Sequence, residues 1–147
     1  MAKNKSTTPR KDLQDFQKRK SFLLDKNRSV AVAKRHKKGL RTARENIEDL
    51  CDQDTFVEFG SMIVAAQRGR KSEKDLIEQT PADGLITGIA SINGKWFNKD
   101  ECKCIVLSYD YTVLAGTQGA FNHKKTDRMM QIAKKAKKPI IFFSDGA

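Results

Sequence analysis

Apolar residues are sparse at the front of the chain and gather toward its end, and their spacing predicts a different element in each segment. Residues 1–10 are polar and basic and predict no structure. Over residues 11–26, Leu13, Phe16, Phe22, Leu23 and Leu24 recur at loosely helical intervals. Residues 29–38 predict a second short helix, closed by Gly39 as its C-terminal cap. Thr42-Ala43-Arg44-Glu45 is a capping box, in which the Thr42 hydroxyl accepts the Glu45 amide hydrogen and the Glu45 carboxylate accepts that of Thr42. The helix it opens puts Ile47, Leu50 and Cys51 on one face and ends near residues 52–54. Residues 55–60 alternate apolar and polar, which predicts a strand. Residues 62–67 fit an extended or a helical segment, residues 67–75 a solvated loop, and Pro81-Ala82-Asp83-Gly84 a turn.

The second half is more regular. Residues 85–92 form a strand with apolar Leu85, Ile89 and Ile92, and Asn93-Gly94 predicts a tight hairpin whose partner strand starts near Lys95. A polar insert at residues 98–101 interrupts that partner before residues 102–110 resume it. A helix over about 120–137 places Met129, Ile132, Ala133 and Ala136 on one stripe. Its last turns carry Lys134, Lys135, Lys137 and Lys138, where cations suit the helix dipole, and Pro139 stops it. Residues 140–143 are all apolar and predict a short strand buried on both faces. Strand, helix and strand together predict a β-α-β crossover in an α/β fold. An apolar strand so close to Ala147 is expected to need more chain or a partner on its edge.

Charge divides the chain. Of 29 Lys and Arg, 15 lie in residues 1–44 against three Asp, while the remaining residues are near neutral. The expected organisation is a basic arm over residues 1–28 and a body over residues 29–147. A nucleic-acid-binding or assembly role rests on the arm alone, which offers only Phe16 and Phe22 for stacking and contains no recognised motif. No run approaches the roughly 18 apolar residues of a membrane span. The first eleven residues lack the apolar stretch of a secretory signal, and Asp12, Asp15 and Asp25 are foreign to a transit peptide, so a cytoplasmic protein is expected. Cys51, Cys102 and Cys104 have no redox or zinc-pair spacing, and His36 and His123 are far apart, so no metal site is expected.

Candidate chemistry centres on Ala115-Gly116-Thr117-Gln118-Gly119-Ala120, between a strand and a helix N-terminus. Such a place presents free amides to an anion or a developing oxyanion, or is simply a tight βα turn. It has neither the lysine of a nucleotide-binding P-loop nor the third glycine of a dinucleotide fingerprint. Lys124, Lys125 and Arg128 follow as phosphate ligands or as a solvated face, and His123 as a base or a hydrogen-bonding helix end. Ser108, Tyr109 and Asp110 include nucleophile types without a base paired by spacing.

Three blocks resemble the carboxyltransferase component of biotin-dependent acyl-CoA carboxylases, of the acetyl- and propionyl-CoA type. They are KRHKKGLRTARENIEDLCDQDTFVEFG at residues 34–60, ADGLITGIASING at residues 82–94 and LSYDYTVLAGTQGAFNHKKTDRMMQIAKKAKKPIIFFSDGA at residues 107–147. The turn at Pro81 and the loop at residues 115–120 look most like the branch joined to a biotin carboxylase. The resemblance implies the crotonase-like fold, a spiral of β-β-α units, here partial and preceded by N-terminal helices. It implies that Gly116, Gln118 and Gly119 lie near bound CoA, and that Gly146 and Ala147 open a glycine-rich loop supplying an acyl oxyanion hole. Gly is common in that family at the position of Ala147. It further implies acyl-CoA and carboxybiotin as substrates of the complete enzyme, with no cofactor bound by this chain. The implied partners are the C-terminal half, a biotin carboxylase and a biotin carrier. On this reading the chain is a truncated or split N-terminal piece, inactive and marginally folded alone.

Overall fold

A computed structural model describes residues 10–145. Of the segment over residues 1–10 expected to be without structure, residues 1–9 lie outside the described residues, as do Gly146 and Ala147, the expected start of the oxyanion-hole loop. Five helices and four strands follow in the order α1 (Lys11–Ser21), α2 (Ser29–His36), α3 (Ala43–Leu50), β1 (Val57–Phe59), α4 (Glu73–Gln79), β2 (Leu85–Ser91), β3 (Lys103–Tyr109), α5 (Ala120–Ala136) and β4 (Ile140–Phe143). The strands form one sheet in the order β1-β2-β3-β4, antiparallel except for the parallel pair β3-β4. The predicted crossover is that last pair, with α5 between its strands.

The sheet is covered on both faces, and the period of two decides which side chains go where. Leu85, Ile105, Leu107 and Tyr109 meet Met129 and Ala133 of α5, whereas Ile86, Ala90 and Val106 meet Ala43 and Ile47 of α3. Leu85, Ile105, Val106 and Leu107 are fully buried, and each contributes about 1.5–3 kcal/mol by leaving water. Two glycines of the 82–94 block answer to packing. A Cβ on Gly88 would stand 2.4 Å from the Phe56 ring, and one on Gly94 2.8 Å from Oδ2 of Asp52, which accepts the Gly94 amide hydrogen.

Local signals read correctly where they close within a few residues. The Thr42–Glu45 box forms in both directions, at 3.1 and 2.7 Å. Gly39 ends α2 at φ +70°, and the Leu40 amide closes back on the Arg35 carbonyl. Helix α5 buries Met129 and Ala133 and half-buries Ile132, but Ala136 faces solvent. Helix α1 spans the first part of the loosely periodic segment and buries none of its residues; Leu23 beyond it is buried.

Three expectations change. The tight Asn93-Gly94 hairpin is a longer loop. Asn93 does take φ +59°, but the last ladder bond joins the Ile92 amide to the Cys102 carbonyl, so Lys95, Trp96 and Phe97 are in no strand. The cause is the polar insert, where the Asn98 side chain accepts the amide hydrogens of Asp100 and Glu101 and closes its own turn. The second change is α4, lying partly in the expected solvated loop. Its cap is Ser72, which accepts the Asp75 amide hydrogen, and its anchor is the fully buried Leu76, packed with Val64 and Ala65. The third is β4, which is not buried on both faces. Ile140 and Phe142 are exposed and Ile141 and Phe143 half-buried, because among the described residues β4 pairs only with β3.

Candidate functional site

The glycine loop after β3 sits where the sequence placed it, and part of its polar surface is already engaged. Leu114, Ala115 and Gly116 all have positive φ, as do Ala82, Asp83 and Gly84 in the facing turn. Non-glycine residues seldom adopt this conformation, so both turns are held by their surroundings. The second turn drives the Asp83 carboxylate onto the N-terminus of α5. There Oδ2 accepts the Asn122 amide hydrogen at 2.8 Å, and the Phe121 amide adds a second stabilising contact. Gly119 permits this approach, since a Cβ there would stand 2.7 Å from the carboxylate. Two of the amides at this helix end, those of Phe121 and Asn122, are therefore capped by the chain's own acid.

Lys125 stands behind that cap. Its Nζ donates to the carbonyls of Ala82 and Leu85, and burial pushes its pKa down to about 8 despite the nearby carboxylates of Glu58 and Asp83. Burial in turn pushes the Asp83 carboxyl up, against the pull of the Asn122 amide and Lys125. Lys125 is thus an internal donor, while His123, Lys124 and Arg128 point to solvent.

The remaining loop residues are equally committed. Gly116 is buried at φ +74°. Gln118 is exposed and donates its amide to the Tyr109 hydroxyl, and burial pushes the Tyr109 pKa up. The Tyr109 ring lies 5.1 Å from that of Phe142. Asp110 accepts from Arg28 at 2.6 Å and from the Thr112 amide at 2.9 Å. It is a structural anchor for the segment between α1 and α2. Ser108 is fully buried and its hydroxyl has no partner among the described residues.

An open site lies elsewhere. Helix α2, the residues after it and the Tyr111–Thr112 turn enclose a groove of about 940 Å³, with Asp145 also in its lining. Val30, Ala31 and Leu40 give it apolar walls, and Lys34, Lys37 and Lys38 are exposed beside it without an acidic partner among the described residues. Sequence reading missed this groove. The basic run was visible, but its juxtaposition with Tyr111, more than seventy positions away, was not. Other basic residues of the front segment are spent internally. Arg19 donates to the Met62 carbonyl and Arg44 to the Leu23 carbonyl and the Glu58 carboxylate. Among the described residues no cluster of His, Cys, Asp and Glu is arranged to hold a metal, and no helix is long and apolar enough to cross a membrane.

Residues 34–147 match the family model of the carboxyl transferase domain. The chain belongs to that family. A biotin-dependent acetyl-/propionyl-coenzyme A carboxylase beta5 subunit of Mycobacterium tuberculosis is 35% identical over 92% of the chain. The methylmalonyl-CoA decarboxylase subunit alpha of Propionigenium modestum is 27% identical, also over 92%. Among solved structures, a single-chain, multi-domain long-chain acyl-CoA carboxylase superposes with TM-score 0.91 at 51% identity over 95% of the chain. Transcarboxylase 12S superposes with TM-score 0.71 at 25% identity. The chain spans 23% and 24% of the lengths of the two sequence relatives, and 14% of that of the long-chain carboxylase. The fold of this carboxyl transferase segment is thus the α/β crotonase-like one, in part, and comparison gives no support to a nucleic-acid-binding role for the basic arm.

Proposed function

We propose that this chain supplies the N-terminal part of an acyl-CoA carboxyltransferase and that its cationic groove takes the phosphate-bearing end of the CoA. The observation that carries the reading is the groove itself: three lysines without a salt-bridge partner among the described residues, over apolar walls, with Asp145, the residue before Gly146, in the lining. A phosphate-rich nucleotide fits that distribution, with charge at the rim and apolar surface beneath. Gly116, Gln118 and Gly119 then line the CoA path ahead of the first turn of α5, where the Phe121 and Asn122 amides are taken by Asp83. Gly146 and Ala147 begin the loop whose amides stabilise the acyl oxyanion, at about 3–4 kcal/mol of transition-state energy per donor.

In the complete enzyme the acyl-CoA enolate carbon attacks the carboxyl group of carboxybiotin. A carbon–carbon bond forms as the biotin nitrogen–carbon bond breaks. In the complete enzyme this segment works with a biotin half, a biotin carrier and a biotin carboxylase, in the cytoplasm. Alone it transfers no carboxyl group.

Calorimetry of the 147-residue chain with acetyl-CoA, 3′-dephospho-CoA and pantetheine tests the reading. Affinity should fall in that order and weaken with added salt, since the exposed lysines are screened. Equal affinity for pantetheine and acetyl-CoA overturns the assignment of the groove.

A further inference from the structure

Arg35 is the most heavily engaged side chain around the groove, and the proposed chemistry gives it no role. It lies in the last turn of α2, a charged group only 8% exposed. Both Nε and Nη2 donate to the Arg41 carbonyl, at 3.1 and 2.9 Å. The guanidinium lies 5.2 Å from the centre of the Tyr111 ring, and Nη2 also donates to the Asp145 carboxylate. One planar group therefore ties together the α2–α3 connection, the turn after β3 and the residue two positions past the end of β4. A guanidinium suits this junction because its donors are fixed in one plane and its face packs on an aromatic ring.

We propose that Arg35 is a positioning residue that fixes the path of the chain as it leaves β4, and so sets the starting direction of the loop that begins at Gly146. The relevance to catalysis rests on the carboxyltransferase reading of that loop; the latch itself does not. A core contact alone would not require the Asp145 bond. Asp145 carries a side chain 37% exposed at the sheet's edge, and Arg35 would be held by the Arg41 carbonyl and Tyr111 without it. The bond crosses 110 positions of sequence and joins the front helices to the β4 exit.

The test is backbone 15N relaxation on the full chain and on Arg35→Gln, Asp145→Asn and Asp145→Glu. Order parameters at Ser144 and Asp145 should drop from the rigid range near 0.85 to below about 0.6 in Arg35→Gln and in Asp145→Asn, with β3 unchanged. Asp145→Glu keeps the carboxylate and should retain most of the order. If Arg35→Gln fails to fold, Asp145→Asn carries the test, because Asp145 lies outside every helix and strand. Unchanged order at residues 144–145 in Asp145→Asn overturns the proposal. So does a loss spread evenly through β3 and β4 in Arg35→Gln with none in Asp145→Asn, which would make Arg35 a packing residue only. Acetyl-CoA binding, measured on the unsubstituted chain, separates the two readings. No binding with the local loss of order intact leaves the latch standing and removes the carboxyltransferase role.

Discussion

The turn that caps α5 and the groove beside α2 are both polar, yet one is closed and the other open. At the first, Asp83, Asn122 and Lys125 are almost completely buried, and most of their polar atoms bond to the chain itself. At the second, Lys34, Lys37 and Lys38 face solvent with no salt-bridge partner among the described residues, and the one acid in the groove lining, Asp145, is paired with Arg35. A glycine loop before a helix resembles an anion site, and a basic run resembles a solvated arm. The structure turns part of the first toward the chain's own acid and leaves the second exposed, because availability depends on what else reaches the same place. Most buried polar atoms here are satisfied from within, since leaving one unpaired costs about 1–3 kcal/mol; Asp83 Oδ1 and Asn122 Oδ1 are the exceptions, with no partner among the described residues.

The sharpest way to break this contrast is to remove the internal cap. Asp83→Ala should destabilise the chain by about 3 kcal/mol, because it uncaps α5 and takes a carboxylate from the neighbourhood of buried Lys125. Urea unfolding measures this, and a loss under 1 kcal/mol would mean that the cap is incidental. Gly119→Ala probes the same contact from the other side. It should cost about 1–3 kcal/mol, because its Cβ would stand 2.7 Å from the carboxylate.

The next prediction concerns pH. The Lys125 pKa is about 8 in the fold against 10.5 for the free side chain, so between those values the unfolded chain binds more protons. Stability should rise with pH across that window, by about 3 kcal/mol in total from this residue. Below about pH 8 the ammonium is charged in both states and its full burial cost is present. Lys125→Met should flatten the rise, and a profile unchanged by that substitution would show the ammonium to be well solvated.

The groove should behave in the opposite way. Replacing Lys34, Lys37 and Lys38 together by Gln should leave stability within about 0.5 kcal/mol per site, since none bonds to the fold through its ammonium among the described residues. Acetyl-CoA affinity should fall roughly tenfold, the sum of three weak, screened contacts. A large loss of stability with affinity intact would exchange the roles of the two regions. The smallest effect is chemical. Burial pushes the half-buried Cys51 thiol up to about 11, so disulfide-exchange reagents at pH 7.5 should label it more slowly than an ordinary exposed thiol, because little thiolate is present. Rapid labelling in the folded chain would show Cys51 open to solvent.

Short-range patterns determined most of the elements. The Thr42–Glu45 box, Gly39, the apolar stripe of α5 and the stop at Pro139 each act through neighbours within one or two turns, so their physics is written in adjacent letters. The resemblance carried by three blocks, spread over most of the chain, named the family before any geometry was known. The misread hairpin and the overlooked α4 show where local signals compete. Asn93-Gly94 yields to the turn that Asn98 organises, and the Ser72 cap lies inside a stretch that otherwise looks like loop.

Tertiary structure alone decided which polar groups remain free. Asp83 finds α5 across 39 positions, Arg28 finds Asp110 across 82 and Arg35 finds Asp145 across 110. Each partnership depends on where packed sheets and helices bring distant backbone, and no periodicity in a linear sequence encodes that meeting. The amino-acid order fixed the helices, the strands and the charge. Only their packing set a carboxylate on the first turn of α5 and left the lysine-lined groove between α2 and Tyr111 open.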